Sequence, residues 1–262
     1  MNVCVIITAA GRSTRFGSDK LSADLGGRPM LIRTVEIFTK RTEVGSIIVA
    51  GPPDDFETFR HKYGPTLGFH GASLVEGGRA ERWETVKNAL AAVADDASHI
   101  AVHDAARPGV SKEVLDRVFE AARTMSAVIP GVPVSATMKR ASDEAVDITV
   151  QDEEAIADVL LGDAGKVRVK ARQVLETIDR RGLVEIQTPQ VFDAALLKRA
   201  YAQKELSGAT DDSSVVERLG ETVYVVEGDA RNIKVTTQAD VSLMRAILGV
   251  KPPEQRPIHK QF

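Results

Sequence analysis

Apolar positions along the first half of the chain alternate between two patterns. Residues 3–7 are an unbroken apolar run rich in β-branched side chains, which predicts a strand buried on both faces of a parallel sheet. Pro29 is placed to open a helix with Leu31, Val35 and Phe38 on one face, and residues 46–50 predict the next strand. Residues 80–94 repeat apolar side chains at Trp83, Val86, Leu90 and Val93, a helical stripe, and 99–102 predict another strand. Strands alternating with helices in this way predict an α/β fold with a sheet built from βαβ units. Beyond Pro133 the order loosens. Residues 134–151 and 167–169 predict strands outside the main alternation, with an acidic, alanine-rich stretch at 152–165 between them. Helices return near 193–203 and 239–248, with a strand at 222–227 between them, and the proline-containing tail from Gly249 predicts an irregular extension.

Two turns that follow predicted strands carry chemistry. After the first strand, Ala9, Ala10 and Gly11 let backbone N–H groups approach an anion without side-chain obstruction, and Arg15 and Lys20 bring positive charge to it. The spacing matches neither G-x-x-x-x-G-K-[ST] nor G-x-G-x-x-G. The second turn, His103-Asp104-Ala105-Ala106-Arg107-Pro108, emerges where open α/β sheets bind ligands, at the carboxyl end of a strand. There Asp104 can hold Mg²⁺ or a ribose hydroxyl and Arg107 can clamp a phosphate; equally, Asp104 can cap the turn and pair with Arg107.

Composition narrows the class. With 262 residues and 43% hydrophobic side chains, the chain can bury a large core. A net charge of −3 argues against general nucleic-acid or membrane-surface binding, so the arginines must act locally. No apolar run reaches the roughly 18 residues of a membrane span and the start lacks a signal-peptide layout, so a cytoplasmic location is expected. The single cysteine, Cys4, lies in the first predicted strand and reads as a small buried hydrophobe.

The first turn is similar to the A-A-G-x-x-x-R-[FM]…K signature of nucleotidyltransferases, and later blocks extend the likeness. These are G-G-R-A-E-R-W-E-T-V at 77–86, H-D-A-A-R-P at 103–108, P-V-S-A-T-M-K-R at 133–140 and T-I-D-R-R-G-L at 177–183. Q-T-P-Q-V-F at 187–192, A-T-D-D at 209–212 and D-A-R-N-I-K-V-T at 229–236 complete the set. Together they resemble the 2-C-methyl-D-erythritol 4-phosphate cytidylyltransferases of the non-mevalonate isoprenoid pathway.

The resemblance implies a Rossmann-like, mostly parallel sheet with flanking helices, and a protruding β-arm for dimerisation. It divides the chain into a nucleotidyltransferase domain at 1–132 and 183–250, an arm at 133–182 and a tail at 251–262. It implies transfer of CMP from CTP to 2-C-methyl-D-erythritol 4-phosphate with Mg²⁺ as cofactor, in a homodimer, without nucleic acid or membrane. By the same resemblance, Ala9, Ala10, Gly11, Arg15 and Lys20 hold the triphosphate. Arg15, Lys20 and Lys234 are the catalytic cations, and Gly78, Thr85, Asp104 and Ala105 contact cytosine, ribose or, for Asp104, metal. Arg107, Thr137, Arg180 and Thr210 contact the acceptor, with Thr137 and Arg180 on the arm that serves the partner's site.

Three departures stand out. Lys20 follows Ser18-Asp19 on a shortened loop where the family usually has Pro-Lys-Gln, and one extra residue separates the glycine pair from an R-x-[DE]-[ST] element in which Thr85 replaces serine. An insertion near 151–172 interrupts the arm, with Asp152, Glu153 and Glu154 followed by Lys166, Arg168, Lys170 and Arg172; it reads as a solvated excursion or as an added dimer or substrate contact. A ribitol 5-phosphate cytidylyltransferase and a nucleotide-binding protein without turnover stay open as alternatives.

Overall fold

A computed structural model describes residues 1–11, 16, 19–150 and 167–252. The chain divides into two compact units, Met1–Val132 with Ile186–Phe262, and Pro133–Glu185.

In the larger unit the strands β1 (Val3–Thr8), β2 (Val44–Gly51), β3 (Ala72–Glu76), β4 (His99–Asp104) and β5 (Ala127–Pro133) alternate with helices α1 (Met30–Thr39), α2 (Phe56–Phe69), α3 (Arg82–Leu90) and α4 (Lys112–Ala122). The smaller unit holds β6 (Met138–Val150) and β7 (Val167–Ile178), and β8 (Val184–Ile186) follows at the boundary. The chain then forms β9 (Gln190–Asp193), α5 (Ala194–Tyr201), α6 (Asp212–Glu217), β10 (Tyr224–Glu227) and α7 (Gln238–Leu248). Among the described residues no helix is long and apolar enough to cross a membrane.

The strand order is β10-β5-β9-β4-β1-β2-β3. β1 pairs in parallel with both β2 and β4, and only β9, between β4 and β5, runs antiparallel to its neighbours in this path. From β1 the chain builds outward through β2 and β3, then returns to lay β4 on the other side of β1, so the order reverses between β1 and β4. A crevice opens at the carboxyl ends of strands at such a reversal.

β1 shows why its sequence is continuously apolar. Val3, Val5 and Ile7 join a core with Leu31, Val35 and Phe38 of α1 and Leu115, Val118 and Phe119 of α4. Cys4 and Ile6 point to the other core, with Val86 and Ala89 of α3 and Leu196 and Leu197 of α5. Because successive side chains face opposite sides, a strand covered on both faces needs apolar residues at every position.

The two-stranded ribbon differs in extent from its sequence pattern. β6 begins at Met138 rather than at Val134, and β7 runs on to Ile178 instead of ending at Val169. The strands pair antiparallel from Met138↔Ile178 to Val150↔Val167, with register shifts between Arg140 and Ala145. Of the predicted insertion, Asp152, Glu153, Glu154 and Lys166 lie outside the described residues, whereas the backbone of 167–172 is the first half of β7, which extends the strand expected at 167–169.

Candidate active site

A cleft of about 330 Å³ sits over the carboxyl ends of β1 and β4. It is lined by Thr8 to Gly11, Lys20, Leu21, the 78–82 loop, Thr85, Asp104 to Ala106 and Lys234. The fold thus brings together Ala9, Ala10, Gly11, Lys20, Gly78, Thr85, Asp104, Ala105 and Lys234 from four separate parts of the sequence.

Each wall is held by short-range chemistry. The Ala9 N–H donates to Ala50 O at 2.8 Å and the Ala105 N–H to Thr8 O at 3.2 Å, extending the β1 ladders into both turns. The buried Thr34 hydroxyl of α1 donates to Ala105 O at 2.9 Å. On the opposite wall, the start of α3 reaches back to fix the preceding loop. Thr85 Oγ1 accepts from the Gly78 N–H at 3.0 Å, and Glu84 Oε2 accepts from the N–H groups of Arg79 and Ala80, both at 2.9 Å. A Cβ on Gly78 would lie 2.2 Å from Glu84 Cβ, so this close approach requires glycine.

Asp104 is the electrostatic centre. Its buried carboxylate accepts from Lys234 Nζ at 2.8 Å and from Thr8 Oγ1 at 3.3 Å, with Arg82 Nε and Arg107 Nε each at 3.5 Å. Burial alone would raise its pKa; the charges of Arg82, Lys234 and Arg107 more than offset this and hold it far below the usual carboxylate range. Asp104 is therefore an anion at every working pH, suited to orienting cations and not to passing protons. The two sequence readings of this residue meet here: it pairs with Arg107, and the Arg107 N–H donates to its backbone carbonyl at 3.0 Å, yet it also lines the cleft.

Arg82 is the residue that sequence reading left unassigned. Its Nη2 lies 2.7 Å from Asp212 Oδ2, a fully buried carboxylate whose other oxygen accepts from the Tyr201 hydroxyl at 2.6 Å. Burial opposes the charge on Arg82, but Asp212 and Asp104 overcome it and push its pKa up, so it stays a cation. The R-x-[DE]-[ST] block contained this arginine; its deciding partner lies in A-T-D-D, far along the chain.

Other predicted positions fall elsewhere. Arg15 lies outside the described residues. Arg107 is not among the residues that line this cleft; its buried guanidinium lies 3.5 Å from the cleft carboxylate Asp104 and donates to Asn232 O at 2.7 Å and to Ile186 O at 3.5 Å, which ties the turn after β4 to the 232 region. Thr210 is exposed in the segment leading into α6 and does not line the cleft either. Thr137 and Arg180 are exposed residues of the smaller unit.

The remaining motif residues build the floor of the site. The Asp104 N–H donates to Thr188 Oγ1 at 3.1 Å, so the Thr188 hydroxyl hydrogen is available to His103 Nδ1 at 3.0 Å. His103 Nε2–H then donates to Arg107 O at 3.1 Å. Complete burial lowers the pKa of His103 to about 4, so it is a neutral structural spacer at pH 7. Gln187 and Asn232, also buried, connect this floor to the segment that carries Lys234: Gln187 Nε2 donates to Asp229 O at 2.8 Å and Asn232 Nδ2 to Thr188 O at 2.9 Å.

A family model for 2-C-methyl-D-erythritol 4-phosphate cytidylyltransferase matches residues 3–161 and 149–250. The chain belongs to this family. It is 36% identical over 245 residues to the enzyme of that name from Bacteroides fragilis, covering 93% of this chain and 98% of the relative. It is 34% identical over 252 residues to the one from Caldanaerobacter subterraneus, covering 95% and 99%. The crystal structure of the Thermus thermophilus cytidylyltransferase is similar at a TM-score of 0.70 and 31% identity, over 94% of this chain and 98% of that one.

Proposed function

We propose that this protein joins CMP from CTP to 2-C-methyl-D-erythritol 4-phosphate and releases pyrophosphate. The observation that carries this reading is the convergence of the family's nucleotide motifs on one cleft at the strand-order reversal, where Lys20, Arg79, Arg82 and Lys234 outnumber Glu81 and Asp104. The acceptor's phosphate monoester has a second pKa of about 6, so it is largely dianionic at pH 7 and needs no general base. One of its oxygens forms a bond to the α-phosphorus as the bond from that phosphorus to the bridging β-phosphate oxygen breaks. The electron pair leaves on pyrophosphate. The protein's task is to hold two polyanions together and to place positive charge where negative charge accumulates. In this reading the 9–11 turn and Lys20 hold the triphosphate, Gly78 and Thr85 border the base, and Lys234, held by Asp104, meets the acceptor phosphate. Arg15 completes the triphosphate set, and Arg107, Thr137, Arg180 and Thr210 complete the acceptor set.

Among the described residues no group of three or more His, Cys, Asp and Glu side chains could hold a metal. Mg²⁺ in phosphate-transfer sites is held by one or two carboxylates, water and the substrate's own oxygens; Asp104 would supply the protein's share here, in exchange for part of its contact with Lys234. Bound there, Mg²⁺ would neutralise triphosphate charge.

Pyrophosphate release with CTP and methylerythritol phosphate tests the reading, run beside ATP in place of CTP and ribitol 5-phosphate as acceptor. The expected result is preference for CTP, because polar groups around the base are left unpaired by the wrong ring, and for methylerythritol phosphate. Equal efficiency with ATP, preference for ribitol phosphate, or CTP binding without any release would each overturn it.

We infer further that the active form is a homodimer. On the ribbon, Ile148 pairs with Val169 and Val146 with Ala171, so these side chains share one face. Val146, Ile148 and Val169 are 59, 46 and 44% exposed, a stripe of a kind that a second copy would cover. If Arg180 serves the partner's acceptor site, mixing inactive Arg180→Ala chains with inactive Lys234→Ala chains should restore activity, because the mixed dimer has one site with neither defect. Mixed dimers that form, shown with tagged chains, yet stay inactive would refute this arrangement, as would an active monomer by sedimentation.

A further inference from the structure

Lys20 stands on a single turn of 3-10 helix, Lys20–Ser22, a piece too short to hold its own shape. Its position is set from outside. Behind it, Leu21 is buried in the core. In front of it, Asp19 is the hub of a polar cluster: Oδ1 accepts from the Leu21 N–H at 3.1 Å, while Oδ2 accepts from Lys62 Nζ at 2.7 Å and from the Tyr63 hydroxyl at 2.9 Å. The Asp19 carbonyl accepts from the Ser22 hydroxyl at 2.7 Å. Lys62 and Tyr63 belong to α2, a helix that lines no part of the cleft, and Tyr63 is itself buried beside Phe59, their rings 5.0 Å apart.

We propose that Asp19 is a positioning residue, which fixes Lys20 in the cleft by fastening its turn to Tyr63 and Lys62 of α2. This rests on the reading of Lys20 as a triphosphate-binding cation. A carboxylate next to a cation that must meet a polyanion works against binding unless its oxygens are occupied, and here both are. Burial raises the Asp19 pKa, but the bonds from Lys62 and Tyr63 outweigh it and hold the carboxyl below its ordinary value. The cluster's function is therefore geometric: it converts a flexible lysine on a short turn into a preorganised one. A displacement near 1 Å at a reacting centre can cost on the order of 100-fold in rate.

The test is a mutant cycle read by steady-state pyrophosphate release, with thermal melts on the same samples. Asp19→Ala is expected to lower kcat/KM for CTP roughly 10- to 100-fold. Asp19→Asn keeps one acceptor oxygen, enough for the Leu21 N–H or for the Lys62 and Tyr63 side but not for both, and should recover only part of the loss. In a Lys20→Ala background, Asp19→Ala should cause no further loss, because both changes act through the same ammonium group. Tyr63→Phe, which removes one bond without a change in core volume, should repeat the cycle at smaller amplitude and does not depend on Asp19→Ala folding. A full additional loss in the Lys20→Ala background, or an unimpaired Asp19→Ala enzyme, would overturn the role of Asp19 while leaving that of Lys20 intact. An unimpaired Lys20→Ala enzyme would instead remove the underlying reading of Lys20, and the proposal with it.

Discussion

Lys234→Ala should lower turnover roughly 10²- to 10³-fold, the scale on which removal of one preorganised charge-stabilising donor acts. Lys234 Nζ is 2.8 Å from Asp104 Oδ2, and Asp104 is fixed in turn by Thr8, by Arg82 and Arg107, and by the Thr188 hydroxyl on its backbone N–H. The ammonium is thus held at the cleft before substrate arrives, which is the condition under which a cation stabilises a transition state without the cost of reorganisation. The lysine is nearly half exposed, and Asp104 keeps two guanidinium neighbours without it, so the melting temperature should change little. Stopped-time assays and melts on the same preparation decide the matter. Turnover near that of the unmodified protein would assign the acceptor-side charge to another residue.

How much of this could be read from the sequence depends on where each determinant lies. β1, α1, β4 and α7 were legible because burial on both faces or on one stripe leaves a pattern within a few residues. α2 was harder: its buried side chains Phe59, Tyr63 and Leu67 recur every four residues, but Gly64, Pro65 and Gly68 interrupt the stretch with signals that ordinarily end helices. β9 was recognisable only as part of the Q-T-P-Q-V-F block. Its Gln190 is buried because Nε2 donates to Asp211 at 2.8 Å while Oε1 accepts from the N–H groups of Asp212 and Ser213, partners that no local pattern announces. The cleft residues came from motif likeness, and the fold gathers most of them. Arg107 shows what that route leaves out: the motif says nothing of the burial and the two backbone carbonyls by which this arginine also braces the turn after β4. Asp19 shows the converse, since the departure from the family pattern at Lys20 sits beside a set of hydrogen bonds that fastens this turn to α2.

Arg82→Ala should be the most damaging single change to stability among the cleft residues. Asp212 is fully buried, and its carboxylate is satisfied by Arg82 at 2.7 Å and the Tyr201 hydroxyl at 2.6 Å. Removing the guanidinium leaves a buried anion with one neutral donor, and breaking a buried pair from one side costs about 3–5 kcal/mol. Asp104 loses a neighbouring charge in the same step, so turnover falls as well. The two effects can be separated with Asp212→Asn, which removes the stranded charge while keeping the side chain's shape. In the Arg82→Ala background it should return part of the lost stability, measured as a shift in the denaturant midpoint, and none of the lost turnover, because Asp104 still lacks Arg82. A loss for Arg82→Ala below about 1 kcal/mol, the value of an exposed pair, would show that water or another donor reaches Asp212. Recovery of turnover along with stability would show that Arg82 serves the fold alone, and that the charge around Asp104 is set by Lys234 and Arg107 without it.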